Sequence, residues 1–174
     1  MHKRIIITGA PGTGKTSLIG ALKQSGFHCH DEISRKIITE QQKQKTDKTP
    51  WGDLMGFVDL VYHQTMEELN TPINQNIFVD RGLPDTIAYL KANSSLIPEY
   101  LLSFPYKTHY ASTVFLAPFW KEIYVNDPQR PQSNNEAIKI HKSLLKVYEE
   151  LNFKIEILPK ATLTKRVDFI RSII

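Results

Sequence analysis

The sequence has a single cysteine and no long hydrophobic run, and each of these absences excludes a class of protein. Because Cys29 has no cysteine partner in the chain, an intrachain disulfide and a cysteine-rich zinc site are excluded. A lone cysteine is also typical of a reducing compartment, so we expect a cytoplasmic protein. No apolar run is longer than a few residues, such as Ile5 to Ile7, and we therefore expect neither a membrane span nor a signal peptide.

The chain also lacks a strong excess of charge of either sign. A net charge of +4 over 174 residues suits small polyanionic ligands, but nucleic-acid binding usually needs a denser basic stripe and is disfavoured. No internal repeat or linker divides the sequence, and 41% hydrophobic residues can fill one core. We expect one domain over residues 1–174; the sequence is compatible with an oligomer.

A glycine-rich motif follows the first β-branched run and precedes a helical pattern. It matches G-x-x-x-x-G-K-[ST], the phosphate-binding loop, and comprises Gly9, Ala10, Pro11, Gly12, Thr13, Gly14, Lys15, Thr16 and Ser17. Its glycines let backbone N–H groups converge on phosphates, Lys15 is placed for the β- and γ-phosphates, and Thr16 for Mg²⁺. A loop that merely joins strand to helix is the alternative, but this context is the one the motif requires. We predict binding of a nucleoside triphosphate, with ATP favoured because no guanine-recognition signature is present.

The rest of the chain alternates strand-like and helix-like segments. Further strands are predicted at residues 27–30, 77–80, 111–117 and 153–158. Helices are predicted to begin near residues 15, 32, 53, 83, 98, 135 and 162. Asp31 is the expected N-cap of the second helix, and Ala137, Ile138 and Leu144 are among the core-facing residues of the sixth. This alternation predicts a parallel α/β sheet with helices on both sides.

Glu32 and Arg35 lie on the polar face of the helix that follows the second strand. A solvent-exposed face is the simpler interpretation. However, ligands of open parallel sheets bind at the carboxyl ends of the strands, which places Glu32 near a phosphate acceptor. The helix N-terminus favours the ionised carboxylate, which can then accept a hydroxyl proton. Trp51, just outside the apolar stripe of the third helix, is a candidate for stacking on a base.

Asp80 and Arg81 end the buried run Ile77-Phe78-Val79. A carboxylate in this position of a phosphate-loop protein lies beside the motif, where Asp80 can hold Mg²⁺ or its water shell. Arg81 would then point toward transferring or acceptor phosphates. A surface Asp–Arg pair is the alternative. The segment after the fourth strand, about residues 118–135, contains prolines around Arg130 and resembles a lid with an arginine finger, or else an ordinary surface loop.

Taken together, these motifs resemble a known family, the small predicted ATPases of the AAA group that are similar in plan to nucleoside and nucleotide kinases, including nicotinamide riboside kinase-like proteins. The residues that carry the resemblance are the phosphate loop, Glu32 with Arg35, Asp80-Arg81-Gly82, Pro118, Ile123-Tyr124, Asp127-Pro128-Gln129-Arg130, Glu136-Ala137, Tyr148, Pro159 and Arg166. The resemblance implies a five-stranded sheet in the order 2-3-1-4-5 with a lid after the fourth strand. It also implies Glu32 as base or hydroxyl ligand, Asp80 near Mg²⁺, and Arg81 and Arg130 on phosphates.

The sequence is compatible with three functions. The first is phosphoryl transfer from ATP·Mg²⁺ to an unknown small acceptor of nucleoside or nucleotide type, with Lys15, Glu32, Arg81 and Arg130 as catalytic residues. The second is a nucleotide-dependent switch or slow ATPase with a macromolecular partner. The third, a nucleic-acid-processing module, lacks the interleaved aromatic and basic residues that such proteins use.

Overall fold

Five parallel strands form the central sheet of the protein. The computed structural model describes residues 2–123 and 134–174. The strands are β1 (Arg4–Gly9), β2 (Cys29–His30), β3 (Ile77–Asp80), β4 (Tyr110–Ala117) and β5 (Lys154–Ile157). Their order, β2-β3-β1-β4-β5, confirms the predicted α/β fold and strand order. Ile7 of β1 pairs with Asp80, and Gly9 pairs with Ala117, so the phosphate-loop motif leaves the sheet between β3 and β4.

Helices cover both faces of this sheet. They are α1 (Lys15–Gln24), α2 (Ile33–Gln44), α3 (Leu54–Asn70), α4 (Leu83–Ala92), α5 (Glu99–Leu102), α6 (Tyr106–His109), α7 (Asn134–Glu150) and α8 (Leu163–Arg171), with a 3₁₀ turn at Lys121–Ile123. Alternating residues of β1 point to opposite faces of the sheet. Ile6 packs in the cluster with α4 and α7 on one face, whereas Ile5 and Ile7 pack with α1 and α8 on the other. This alternation produces the three-layer architecture.

Three local predictions differ from the structure. The second strand is limited to Cys29–His30, since these two residues pair with Phe78 and Val79 of β3. Glu32, not Asp31, is the N-cap of α2, which begins at Ile33. On α7, Ile138 is 37% exposed and Ile140 is buried in its place, because Ile140 lies on the side of the helix that packs in the core cluster with α4.

The predicted lid falls largely on residues 124–133, so its central part and Arg130 lie outside the described residues. Within the ranges 2–123 and 134–174, no helix combines the length and apolar character that crossing a bilayer requires.

Candidate functional site

The phosphate-loop motif adopts a backbone that glycine alone can supply at its first position. Gly9 has φ of 148°, and a Cβ there would lie 2.6 Å from the carbonyl oxygen of Ala117 on the neighbouring strand. The last glycine, Gly14, has φ of 79° and precedes the first turn of α1. The side chain of Lys15 is folded inward, 5% exposed, and its Nζ donates to the carbonyl oxygen of Ala10 at 2.9 Å. Its ammonium group is thus held against the loop.

A buried arginine from α8 supports this loop from the other side. Arg166 is 1% exposed; its Nη1 donates to the Thr13 carbonyl oxygen at 3.2 Å and its Nε to the Pro159 carbonyl oxygen at 3.0 Å. Its guanidinium carbon lies 5.2 Å from the centre of the Trp120 ring. Because a guanidinium offers several donors in a rigid plane, it fixes the loop to the C-terminal part of the fold.

Asp80 lies at the carboxyl end of β3, next to the phosphate loop. Its side chain is buried, and Oδ1 has no hydrogen-bond partner among the described residues. Burial raises the pKa of Asp80 to about 6; the charges of Lys15 and Arg81 lower it, and those of Glu32 and Asp85 raise it. The ionisation of Asp80 is thus linked to the charges of these four neighbouring groups.

Arg81 joins two carboxylates that are distant in the sequence. Its Nε donates to Oε1 of Glu32 at 3.0 Å, and its Nη1 donates to Oδ1 of Asp85 at 2.9 Å. Burial acts to lower the pKa of Arg81, but the neighbouring carboxylates outweigh it and raise the pKa, so the guanidinium remains charged. The backbone of Arg81 has φ of 73°, which is uncommon for a residue other than glycine. Its backbone N–H donates a hydrogen bond to the Ile7 carbonyl oxygen at 3.0 Å. The backbone turn aims the guanidinium at Glu32.

Asp85 is the residue that sequence reasoning missed. In addition to Arg81, its carboxylate accepts hydrogen bonds from Thr8 Oγ1 at 2.5 Å, Gly82 N at 3.1 Å and Tyr148 Oη at 2.6 Å. Burial, followed by the charge of Asp85, raises the pKa of Tyr148 well above its ordinary value, so the phenol remains a donor. An acidic residue in the first turn of a helix, four positions after Arg81, was the available signal.

A cavity opens beside these groups, between α2, α3 and α4. Pro11 of the phosphate loop lies at one end, and Glu32, Asp80 and Arg81 form part of its polar lining. Its apolar lining comes mainly from Ile38, Phe57, Val58, Val61, Tyr89 and Leu144. Trp51 also lines the cavity although it is 53% exposed, so it belongs to the rim. A concave, mainly apolar space with convergent polar groups is typical of a small-molecule site.

The structure brings together Lys15, Asp80, Glu32 and Arg81, four of the predicted site residues. Glu32 is 8% exposed, which excludes the solvent-facing interpretation: the N-cap position turns its side chain toward Arg81. Arg35 is half-buried one turn further along α2. Thr16 and Ser17 are exposed in the first turn of α1, and Arg130 lies outside the described residues.

The side-chain oxygen atoms beside the phosphate loop are of the kind that bind a magnesium ion together with nucleotide phosphates. Asp80 supplies a buried carboxylate oxygen without a hydrogen-bond partner in the described part of the chain, and Thr16 supplies an exposed hydroxyl. Across residues 2–123 and 134–174, no three His, Cys, Asp or Glu side chains form a dedicated metal cluster. Mg²⁺ in nucleotide sites commonly takes one or two protein oxygens and completes its shell with phosphates and water.

The family of the protein follows from a comparison of its sequence with family models. The model of an AAA domain matches residues 4–166. The chain belongs to this AAA domain family. A search of the curated proteins finds no match to it.

Solved structures with the same fold include nucleoside and nucleotide kinases. Deoxyadenosine kinase from M. mycoides, with the products dCMP and dCDP bound, has a TM-score of 0.63 and 16% identity, with 97% of each chain covered. Thymidylate kinase from Ehrlichia chaffeensis has a TM-score of 0.68 and 12% identity, with 99% of each chain covered. The NadR protein in complex with NR has a TM-score of 0.71 and 20% identity; the match covers 99% of this chain and 50% of that one. These likenesses establish the phosphate-loop kinase fold.

Proposed function

We propose that the protein is an ATP·Mg²⁺-dependent phosphotransferase that acts on the hydroxyl group of a small nucleoside- or nucleotide-like acceptor. The observation that carries this proposal is the buried pair of Glu32 and Arg81, 3.0 Å apart, in a cavity that continues from the phosphate loop. A hydrolase or switch needs room for one water molecule only, whereas this cavity has an extended apolar wall.

Each charged group has a role in this reaction. Lys15 and the loop N–H groups bind the triphosphate, and Thr16 and Asp80 would hold Mg²⁺, which would neutralise phosphate charge. Glu32 orients the acceptor hydroxyl and accepts its proton. Arg81 positions Glu32 through its Nε and adds positive charge beside the transferred phosphoryl group. Arg130 is proposed as a second cation that approaches from the lid.

The proposal also includes the domain organisation and the cellular compartment of the protein. We propose one domain over residues 1–174 with a lid near residues 118–135, acting in the cytoplasm. We propose a small molecule and not a nucleic acid as acceptor, since the site is a concave, mainly apolar cavity with walls from α2, α3 and α4.

Transfer of label from γ-labelled ATP tests the proposal. The protein is incubated with ATP·Mg²⁺ and a panel of nucleosides, nucleotides and nicotinamide riboside, and the products are separated by chromatography. We expect a labelled acceptor and stoichiometric ADP. Inorganic phosphate as the only labelled product, at a rate that no panel member alters, would favour a switch or slow ATPase instead.

A further inference from the structure

Asp85 lines the cavity but has no role in the reaction as proposed above. Its side chain is 6% exposed, and each of its two carboxylate oxygens accepts two hydrogen bonds. Thr8 Oγ1 and Arg81 Nη1 donate to Oδ1 at 2.5 and 2.9 Å. Gly82 N and Tyr148 Oη donate to Oδ2 at 3.1 and 2.6 Å. Because an ionised carboxylate has about four lone-pair positions, these donors occupy all of them and fix its orientation.

These hydrogen bonds connect Asp85 to two parts of the candidate site. Thr8 lies on β1 and immediately precedes Gly9, the first residue of the phosphate-loop motif. Arg81 and Gly82 lie between the end of β3 and the start of α4. Thr8 has no exposed surface, so water cannot replace Asp85 as the partner of its hydroxyl group. Asp85 therefore connects the start of the phosphate loop to the turn that carries Arg81.

Arg81 extends this connection to Glu32. Its Nη1 donates to Asp85, and its Nε donates to Glu32. Since a guanidinium is rigid and planar, two contacts at different nitrogens fix the rotation of the plane, whereas one contact lets the plane turn. The hydrogen bond from Gly82 N to Asp85 also stabilises the backbone turn at Arg81, where φ is 73°. The position of the Glu32 carboxylate relative to the phosphate loop therefore depends on Asp85.

Transfer to an acceptor hydroxyl depends on this relative position. The hydroxyl oxygen must be in line with the γ-phosphorus, and a displacement of about 1 Å can cost roughly 10²-fold in rate. We infer, building on the function proposed above, that Asp85 is a positioning residue for phosphoryl transfer. It holds Glu32, through Arg81, at a fixed distance from the phosphate loop, which it reaches through Thr8. Asparagine cannot take over this role, because its amide nitrogen would face a donor where the carboxylate offers an acceptor.

Asp85→Asn tests this inference, with Val147→Ala as the matched control. Val147 is buried in the core cluster of α4 and α7 and is absent from the cavity lining that the described residues provide, so its truncation lowers stability without removing a hydrogen bond of Asp85. Transfer from γ-labelled ATP is measured with the nucleoside or nucleotide that the unmodified protein labels fastest, beside calorimetric ATP affinity. For Asp85→Asn we expect kcat to fall about 100-fold while ATP affinity stays within about 3-fold.

The control separates positioning from a general loss of stability. Val147→Ala should keep kcat within about 2-fold of the unmodified protein, since the reacting groups keep their places. Equal kcat in folded Asp85→Asn and Val147→Ala, whether high or low, would overturn the inference and leave the phosphotransferase intact. Transfer to no acceptor by the unmodified protein would overturn both.

Thr8→Val and Thr8→Ser test the connection to the phosphate loop with smaller changes. Valine keeps the shape of threonine without its hydroxyl group, whereas serine keeps the hydroxyl group that donates to Asp85. We expect Thr8→Val to lower kcat by about 10-fold with ATP affinity within about 3-fold, and Thr8→Ser to keep most of the kcat. Equal kcat in the two variants, with both folded by circular dichroism, would overturn the inference. Both variants leave the pair of Arg81 and Asp85 in place, so they decide the question even if Asp85→Asn does not fold.

Discussion

The phosphate end and the acceptor end of the candidate site are built in different ways. The phosphate end is one contiguous stretch, residues 9–17, in which the backbone supplies most of the polar groups and the glycines shape it. The acceptor end takes Glu32, Arg81 and Asp85 from three places along the chain and holds them as buried ion pairs. Changes at the first end should therefore impair nucleotide binding and leave folding stability unchanged, whereas changes at the second should impair both turnover and folding stability.

The largest effect is expected at the phosphate end. Lys15→Ala should abolish tight ATP·Mg²⁺ binding and leave the fold intact, because the loop backbone is held by its own glycines and by Arg166. Lys23→Ala, on the same helix in an exposed pair with Asp31, is the matched control and should bind ATP normally. Calorimetric titration measures both. Unchanged affinity in a folded Lys15→Ala protein would contradict the assignment.

At the acceptor end we expect a cost in stability. Arg81→Met removes the guanidinium that pairs with both Glu32 and Asp85 in the buried cluster, and should lower the free energy of unfolding by about 3–5 kcal/mol. Lys154→Met breaks an exposed pair with Glu156 and should cost less than about 1 kcal/mol. Urea denaturation of the nucleotide-free proteins compares them. Similar costs for the two would show that the buried cluster at the acceptor end contributes no more stability than a surface ion pair.

Asp80 lies between the phosphate end and the acceptor end of the site. Its substitution by asparagine should raise folding stability and lower activity. Its pKa of about 6 in the folded protein exceeds the ordinary 3.8, so the ionised carboxylate weakens the nucleotide-free fold as pH rises through this interval. Asp80→Asn should therefore add up to roughly 3 kcal/mol at pH 8 and less at pH 5, since each pKa unit corresponds to about 1.4 kcal/mol. Thermal melts at both pH values test the sign.

The same variant should lose more Mg²⁺-dependent turnover than metal-free nucleotide binding. Equal losses in the two assays would identify Asp80 as a structural residue, and a stability gain that does not change with pH would contradict its raised pKa.

The smallest loss of stability is expected when one of the hydrogen bonds to the Asp85 carboxylate is removed. Tyr148→Phe removes the hydroxyl that donates to this carboxylate at 2.6 Å and should cost roughly 1–2 kcal/mol of stability, with unchanged ATP affinity. Tyr100→Phe removes a hydrogen bond to Asp59 at the surface, where water can replace it, and should cost less. Denaturant titration distinguishes them; an equal or larger cost for the surface bond would argue against the buried network.

The two ends also differ in how far the sequence predicts them. The phosphate loop and the Asp80-Arg81 pair were found because their residues are neighbours in the chain, between a strand and a helix that local patterns indicate. The sheet order required the family resemblance in addition, because strand pairing is a long-range property.

Burial of Glu32 and the network around Asp85 could not be predicted in this way. Glu32 is turned inward by the N-cap backbone and by an arginine 49 residues away. Tyr148 lies 63 residues after Asp85, and the two meet only because α7 packs on α4. Tyr148 is among the residues that carry the family resemblance, but the local sequence contains no information about the carboxylate that it contacts.

Glu32→Gln offers the most direct test of the central claim, that the acceptor end performs phosphoryl transfer while the phosphate end binds ATP. Single-turnover transfer from labelled ATP is measured beside calorimetric ATP affinity, with Glu40→Gln on the exposed face of α2 as control. We expect unchanged affinity and a transfer rate lowered by roughly 10²–10⁴-fold, the range for a positioned base. Basal hydrolysis that stays within a few-fold in Glu32→Gln, with no transfer by the unmodified protein, would contradict the account.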